Sequence, residues 1–173
     1  MNINNVLKEQ KGLLEIDKET LNYLKSETKK FTELVDKEII KEKVQAEVFV
    51  GGSFAKNTLI KNGEYDIDIL VRFNWRFDDI SGILGKVLKR ICDENKYFLK
   101  EVHGSRDYYR IYIKRDTALE FIPVYQVKKP REARNVTDLS YFHVNYVKRK
   151  LAKNKKLHGE ILIAKKFCQA QNV

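Results

Sequence analysis

The chain has 173 residues, 43% of them hydrophobic and 11% aromatic, which is enough to bury one core and fits one domain or one domain plus the start of another. Thirty-four Lys and Arg against 24 Asp and Glu leave a formal net charge of +10, favouring a polyanionic partner such as nucleic acid, although lysine-rich surfaces are common without one. Cys92 and Cys168 stand too far apart for a zinc or redox motif, the N-terminal "MNINNVLKEQKG" lacks a signal peptide's apolar core, and no run reaches the roughly 20 apolar residues of a membrane helix. A globular, cytoplasmic protein with reduced thiols is expected.

From Asp17 to Val44, Leu21, Leu24, Phe31, Leu34, Val35 and Ile39 recur at helical spacing behind an aspartate cap, without glycine or proline, and predict one long amphipathic helix. "AEVFV" (Ala46 to Val50) reads as a short strand that stops at Gly51 and Gly52. After the Asn62-Gly63 loop comes a second strand, "YDIDILVRF". Its alternation puts Ile67, Ile69, Val71 and Phe73 on one face and Asp66, Asp68, Leu70 and Arg72 on the other. Then follow a helix, "DDISGILGKVLKRICDEN", and three strand-like stretches, "YFLKEVH", "YYRIYIK" and "TALEFIPVY", the last two joined by an Arg115-Asp116 turn. From Asp138 the pattern is helical again, as "DLSYFHVNYVKRKLA" and "GEILIAKKFCQAQ" around a lysine-rich loop, with no repeat and no flexible linker.

Asp66 and Asp68 point the same way, about 7 Å apart along the strand. Two like charges repel, and partial burial raises the cost, so a positive counter-charge is required unless the strand is an exposed edge with its acids in water. Oxygen-only ligands with no neighbouring His or Cys favour magnesium or manganese over zinc. Gly51 and Gly52 permit a sharp turn and close approach to a ligand. Ser53 falls at the start of a short helix whose free amides can receive a phosphate, and Lys56 follows about one turn later.

Strand, Gly-Gly-Ser turn, short helix, loop and Asp-x-Asp strand together resemble the nucleotidyltransferase superfamily that includes DNA polymerase beta. Within it, "VGGSFAKNTLIKNGEYDIDILVRF" (Val50 to Phe73), "LEFIPVYQVKKP" (Leu119 to Pro130), "DLSYFHVNYV" (Asp138 to Val147) and "ILIAKKFCQAQNV" (Ile161 to Val173) are similar, in order and spacing, to the archaeal class of CCA-adding tRNA nucleotidyltransferases. The resemblance implies an α+β palm: a mixed, mostly antiparallel sheet of about five strands with helices on one side. It implies a catalytic domain over residues 1–137, with 138–173 opening a following helical domain.

It further implies that Asp66, Asp68 and Glu120 are the catalytic, metal-binding carboxylates, with Glu120 standing where the family usually has aspartate. Gly52, Ser53, Lys56, His143 and Lys165 match nucleotide-binding positions, Lys56 replacing a usual arginine and so losing its bidentate fork. His143 could equally fill a polar gap beside Tyr141, Phe142 and Tyr146, and Lys165 could be one more solvated lysine. The implied chemistry is template-independent transfer of CMP and AMP from CTP and ATP to an RNA 3′-hydroxyl, most specifically tRNA 3′-CCA addition, with two Mg2+ ions. Alternatives of the same fold are a nucleotide second-messenger synthase, a small-molecule or protein AMP transferase, or a non-catalytic RNA-binding module. The family's remaining nucleotide and tRNA contacts would fall beyond Val173, which implies further C-terminal domains or a second chain and leaves oligomerisation open.

Overall fold

The structure is a computed structural model and describes residues 2–171. Thirteen elements follow one another in the order helix α1 (Ile3–Leu14), α2 (Lys18–Lys41), strand β1 (Ala46–Val50), α3 (Gly52–Ala55), β2 (Tyr65–Phe73), α4 (Ile80–Asn95), β3 (Leu99–Val102), β4 (Tyr108–Lys114), β5 (Thr117–Tyr125), two 3-10 turns (Pro130–Glu132 and Val136–Leu139), α5 (Ser140–Lys153) and α6 (Lys156–Ala170). The strands form one sheet in the order β1-β2-β5-β4-β3, in which only β2 and β5 run parallel. A parallel pair needs a crossover rather than a hairpin. Here the crossover contains α4 and the β3–β4 hairpin.

Local signals place the helix starts. Asp17 accepts hydrogen bonds from the Thr20 amide at 2.8 Å and its hydroxyl at 2.9 Å, satisfying free donors at the head of α2. Asp79 accepts from the Gly82 amide at 2.8 Å and does the same for α4. The period-2 pattern of β2 is realised as expected: Ile67, Ile69 and Val71 are fully buried, joined on the same face by Leu119 and Phe121 of β5 and by Tyr109 and Ile111 of β4. Against that face pack Leu24, Phe31, Val35 and Ile39 of α2 and Leu84, Leu88 and Ile91 of α4. Phe31 meets Phe121 with ring centroids 6.4 Å apart. Each such side chain contributes about 1.5–3 kcal/mol through burial.

The expected α+β palm is therefore the observed architecture, with two differences. First, α1 was not expected, because its apolar positions are few and mostly exposed; only Leu14 is buried, in a satellite cluster with Ile60 and Leu162 of α6. A contact with a helix some 150 positions away leaves no local periodicity to detect. Second, helices lie on both faces. α2 and α4 cover the core face, while α5 covers part of the other through Tyr141, which sits 3.7 Å from the Arg72 guanidinium and 4.8 Å from the Phe49 ring. The last two residues of the "ILIAKKFCQAQNV" block, Asn172 and Val173, lie outside the described residues.

The chain on either side of residue 137 is fastened by one buried carboxylate. Asp138 accepts from the backbone amides of Tyr125, Arg134 and Asn135 at 2.9–3.0 Å and from Arg106 Nη1 at 2.6 Å. Burial alone would raise its pKa, but Arg106 and the backbone donors outweigh that and hold the carboxyl below its ordinary value. A depressed carboxylate contributes stability above its unfolded pKa and loses it as pH falls through the folded one. Asp138→Asn is expected to cost about 3 kcal/mol at pH 7, measured by urea unfolding. The gap from wild type should shrink steadily as pH falls below about 4.

Candidate active site

Because β2 and β5 are parallel and in register, Asp68 lies directly beside Glu120, and Glu120 lies directly beside Arg110 of antiparallel β4. Three adjacent strands thus present acid, acid and arginine in one row on the open face. Asp66, two residues before Asp68, falls on the same face. The Arg110 guanidinium reaches both flanking acids: Nη2 is 3.1 Å from Asp66 Oδ2, and Nε and Nη2 both donate to Glu120 Oε1.

The Gly-Gly-Ser turn sits over Asp68. The Gly51 amide donates to the Asp68 carbonyl at 2.8 Å, extending the β1–β2 ladder by one bond. Gly52 has φ +58°, and a Cβ built there would lie 1.6 Å from Asp68 Oδ2. Only glycine fits both the left-handed backbone and the carboxylate beneath it. α3 then runs for a single turn, and the Thr58 amide closes it onto the Ser53 carbonyl at 2.9 Å.

Lysines approach from the other side. Lys165 of α6 is half-buried and donates to the Thr58 carbonyl at 2.8 Å. Its pKa is lowered by burial and by the charge of Lys56, against the pull of Asp68. Asp68 responds in kind: burial raises its carboxyl, Asp66 adds to the rise, and Lys56 and Lys165 oppose it. Glu120 is also raised by burial, with Arg110 opposing and the two aspartates adding. Asp68 and Glu120 are thus partly desolvated, Asp66 is exposed beside them, and Arg110, Lys56 and Lys165 flank the group.

Of the residues expected from sequence, the fold brings Asp66, Asp68, Glu120, Gly52, Ser53, Lys56 and Lys165 into one neighbourhood. His143 lies exposed on α5, with no hydrogen bond to that cluster among the described residues. Two residues absent from the expectation belong to the neighbourhood. Arg110 was legible in principle, since "YYRIYIK" alternates, but its place opposite Glu120 depends on strand order. His158 left no signal; its Nε2 donates to the Asn57 carbonyl at 2.7 Å, just after α3. With Lys56, Lys148, Leu151 and Lys155 it lines a cleft of about 440 Å³ between α3 and the α5–α6 turn.

The donor set fits hard divalent cations. Three carboxylates with no imidazole or thiolate suit magnesium or manganese, and the missing Cβ of Gly52 leaves room for the Asp68 carboxylate. In the conformation described, however, Asp68 turns toward Gly52 while Asp66 and Glu120 turn toward Arg110. Among the described residues, the three-residue group with one ligand atom each within 4.8 Å of one another is instead Glu101, His103 and Asp107, a largely exposed set around the β3–β4 loop. No helix among the described residues is long and apolar enough to cross a membrane.

Similarities to known proteins bear on the family and the fold of the chain. The chain is 38% identical over 107 residues to the CCA-adding enzyme of Nanoarchaeum equitans, a match covering 61% of this chain and 25% of that protein. The chain thus spans about a quarter of the length of the curated relative it matches. Its fold is similar to that of the RNA terminal uridylyl transferase Cid1, at a TM-score of 0.73 and 10% identity over 96% of this chain and 47% of that one. It is also similar to E. coli MS115-1 CdnC solved with ATP, at a TM-score of 0.71 and 16% identity over 99% of this chain and 59% of that one. At such identities these structures speak for the fold alone. The sequence profile of the nucleotidyltransferase domain matches residues 37–166, well over half the chain, and spans the Gly-Gly-Ser turn, all three carboxylates and both lysines. The chain belongs to the nucleotidyltransferase domain family.

Proposed function

We propose that this chain is the catalytic palm of a template-independent nucleotidyltransferase that adds CMP and AMP from CTP and ATP to an RNA 3′-hydroxyl, its acceptor being a tRNA end that lacks CCA. The observation that carries the reading is the row of Asp68 and Glu120 across the parallel β2–β5 pair, with Asp66 on the same face and a glycine turn above. The likeness to the Nanoarchaeum protein supports the RNA acceptor.

In this reading Asp66, Asp68 and Glu120 hold two Mg2+ ions. When bound, those ions supply the charge that activates an attacking 3′-oxygen and steadies departing pyrophosphate. The protein's own part is positioning and electrostatic complementarity. Gly52 and Ser53 let the backbone approach the triphosphate, while Lys56 and Lys165 meet its negative charge. Glu120 lies on the strand beyond Asp68, largely out of solvent, and completes the carboxylate set. His143 is assigned to the nucleotide from sequence similarity. Residues 1–137 serve as the palm, and 138–173 begin the helical part that follows it. The lysine-lined cleft between α3 and the α5–α6 turn has no acidic lining residue among the described residues and suits RNA phosphates.

Given a tRNA lacking its CCA end together with CTP and ATP, the protein should extend it by three nucleotides. Extension by another pattern, or none with RNA but product from nucleotides alone, would assign a different activity of this fold. Asp68→Ala should lower the rate about a thousandfold or more, equivalent to ~4 kcal/mol of transition-state stabilisation, with circular dichroism unchanged. Gly52→Ala forces a methyl group onto Asp68, and a loss of at least about a hundredfold is expected when tRNA extension is followed by gel electrophoresis. Replacing Lys148 and Lys155 together with Gln should reduce the slope of log K against log[KCl] for RNA binding by about 1.5, read by filter binding.

A further inference from the structure

The Asp-x-Asp face needs a counter-charge, and the structure supplies one within the chain. Arg110 sits at the cross-strand position opposite Glu120, where facing side chains of an antiparallel pair are nearest neighbours. Both are long, and both lie largely out of solvent: 26% of the Arg110 side chain and 14% of the Glu120 side chain remain exposed. Two guanidinium nitrogens converge on the single oxygen Oε1 of Glu120, and Nη2 also serves Asp66 Oδ2. A fork that binds this way draws both carboxylates toward β4.

Asp68 is drawn the opposite way, against Gly52 on the β1 side. The three carboxylates therefore share a face without converging. A divalent ion that takes all three must bring Glu120 back toward Asp68, a movement that both Arg110 donors on Oε1 oppose. The guanidinium would also stand close to the incoming ion with the same sign of charge.

We propose that Arg110 is a resident place-holder for the divalent cation: it neutralises Glu120 and Asp66 in the metal-free protein and must leave Glu120 when metal enters, so that it sets the metal affinity of the site. This rests on the metal-site reading above. It also gives the Glu at position 120 a physical role, since the additional methylene lengthens the reach toward a cross-strand arginine. Arg110 acts here through the carboxylates and is a positioning residue.

The test uses Mn2+ alone, without nucleotide or RNA. Binding is followed by the loss of the free-ion electron paramagnetic resonance signal, alongside thermal melting with and without Mn2+. Wild type, Arg110→Met, Arg110→Lys and Asp68→Asn are compared. Arg110→Met should bind Mn2+ about tenfold more tightly than wild type, or ~1.4 kcal/mol. It should melt lower than wild type without metal and gain more in Tm when metal is added. Arg110→Lys, which keeps the charge but loses the fork, should bind about threefold more tightly. It carries the test if Arg110→Met does not fold. Wild type that binds Mn2+, with Arg110 variants that bind no more tightly or more weakly, overturns the place-holder and makes Arg110 an orienting partner of the bound site. If wild type and the Arg110 variants all bind no better than Asp68→Asn, the metal-site reading itself fails and the place-holder falls with it.

Discussion

Electrostatic repulsion among Asp66, Asp68 and Glu120 is the constraint around which the open face is organised. Carboxylates on neighbouring strands, partly withdrawn from water, are costly unless positive charge is fixed beside them. The fold meets that demand from two directions, with Arg110 on the β4 side and Lys56 and Lys165 on the side of α3 and α6. The opposite face of the same strands can afford no such groups, since Ile67, Ile69, Val71 and Phe121 are sealed by α2 and α4. One sheet thus separates a dry apolar layer that holds the fold from a charged layer that carries the candidate site.

The parallel pairing of β2 with β5 is what turns two sequence-distant acids into neighbours. An antiparallel arrangement or a one-residue slip would move Glu120 to the other face or another row. The long crossover through α4, β3 and β4 that parallel pairing requires also delivers Arg110, because β4 returns alongside β5. Topology and site chemistry are therefore linked. Asp138 extends that link by tying the end of β5 and the segment before α5 to Arg106, so that the lysine-bearing helices are held against the palm.

Much of this was legible from local pattern. Alternation in "YDIDILVRF" separated the acid face from the core face, Asp17 marked the head of α2, and Gly51 and Gly52 marked a tight turn. Those signals are local because they arise from strand pleat, helix period and backbone sterics. What stayed illegible was long-range. α1 owes its place to a contact with α6, His158 reaches Asn57 across about 100 residues, and Arg110 looked like any other charge on a strand.

The amino-acid sequence by itself determined the acid face of β2 and the glycine turn, because each follows from spacing within a short stretch of chain, and its resemblance to a known family, carried by blocks from Val50 to Val173, implied the α+β palm. The tertiary structure decided which charges meet. Only strand order and register could set Glu120 beside Asp68 and Arg110 beside Glu120, and only the packing of α5 and α6 could bring Lys165 and His158 to the end of α3. These contacts join residues whose separation in sequence carries no trace of their distance in space.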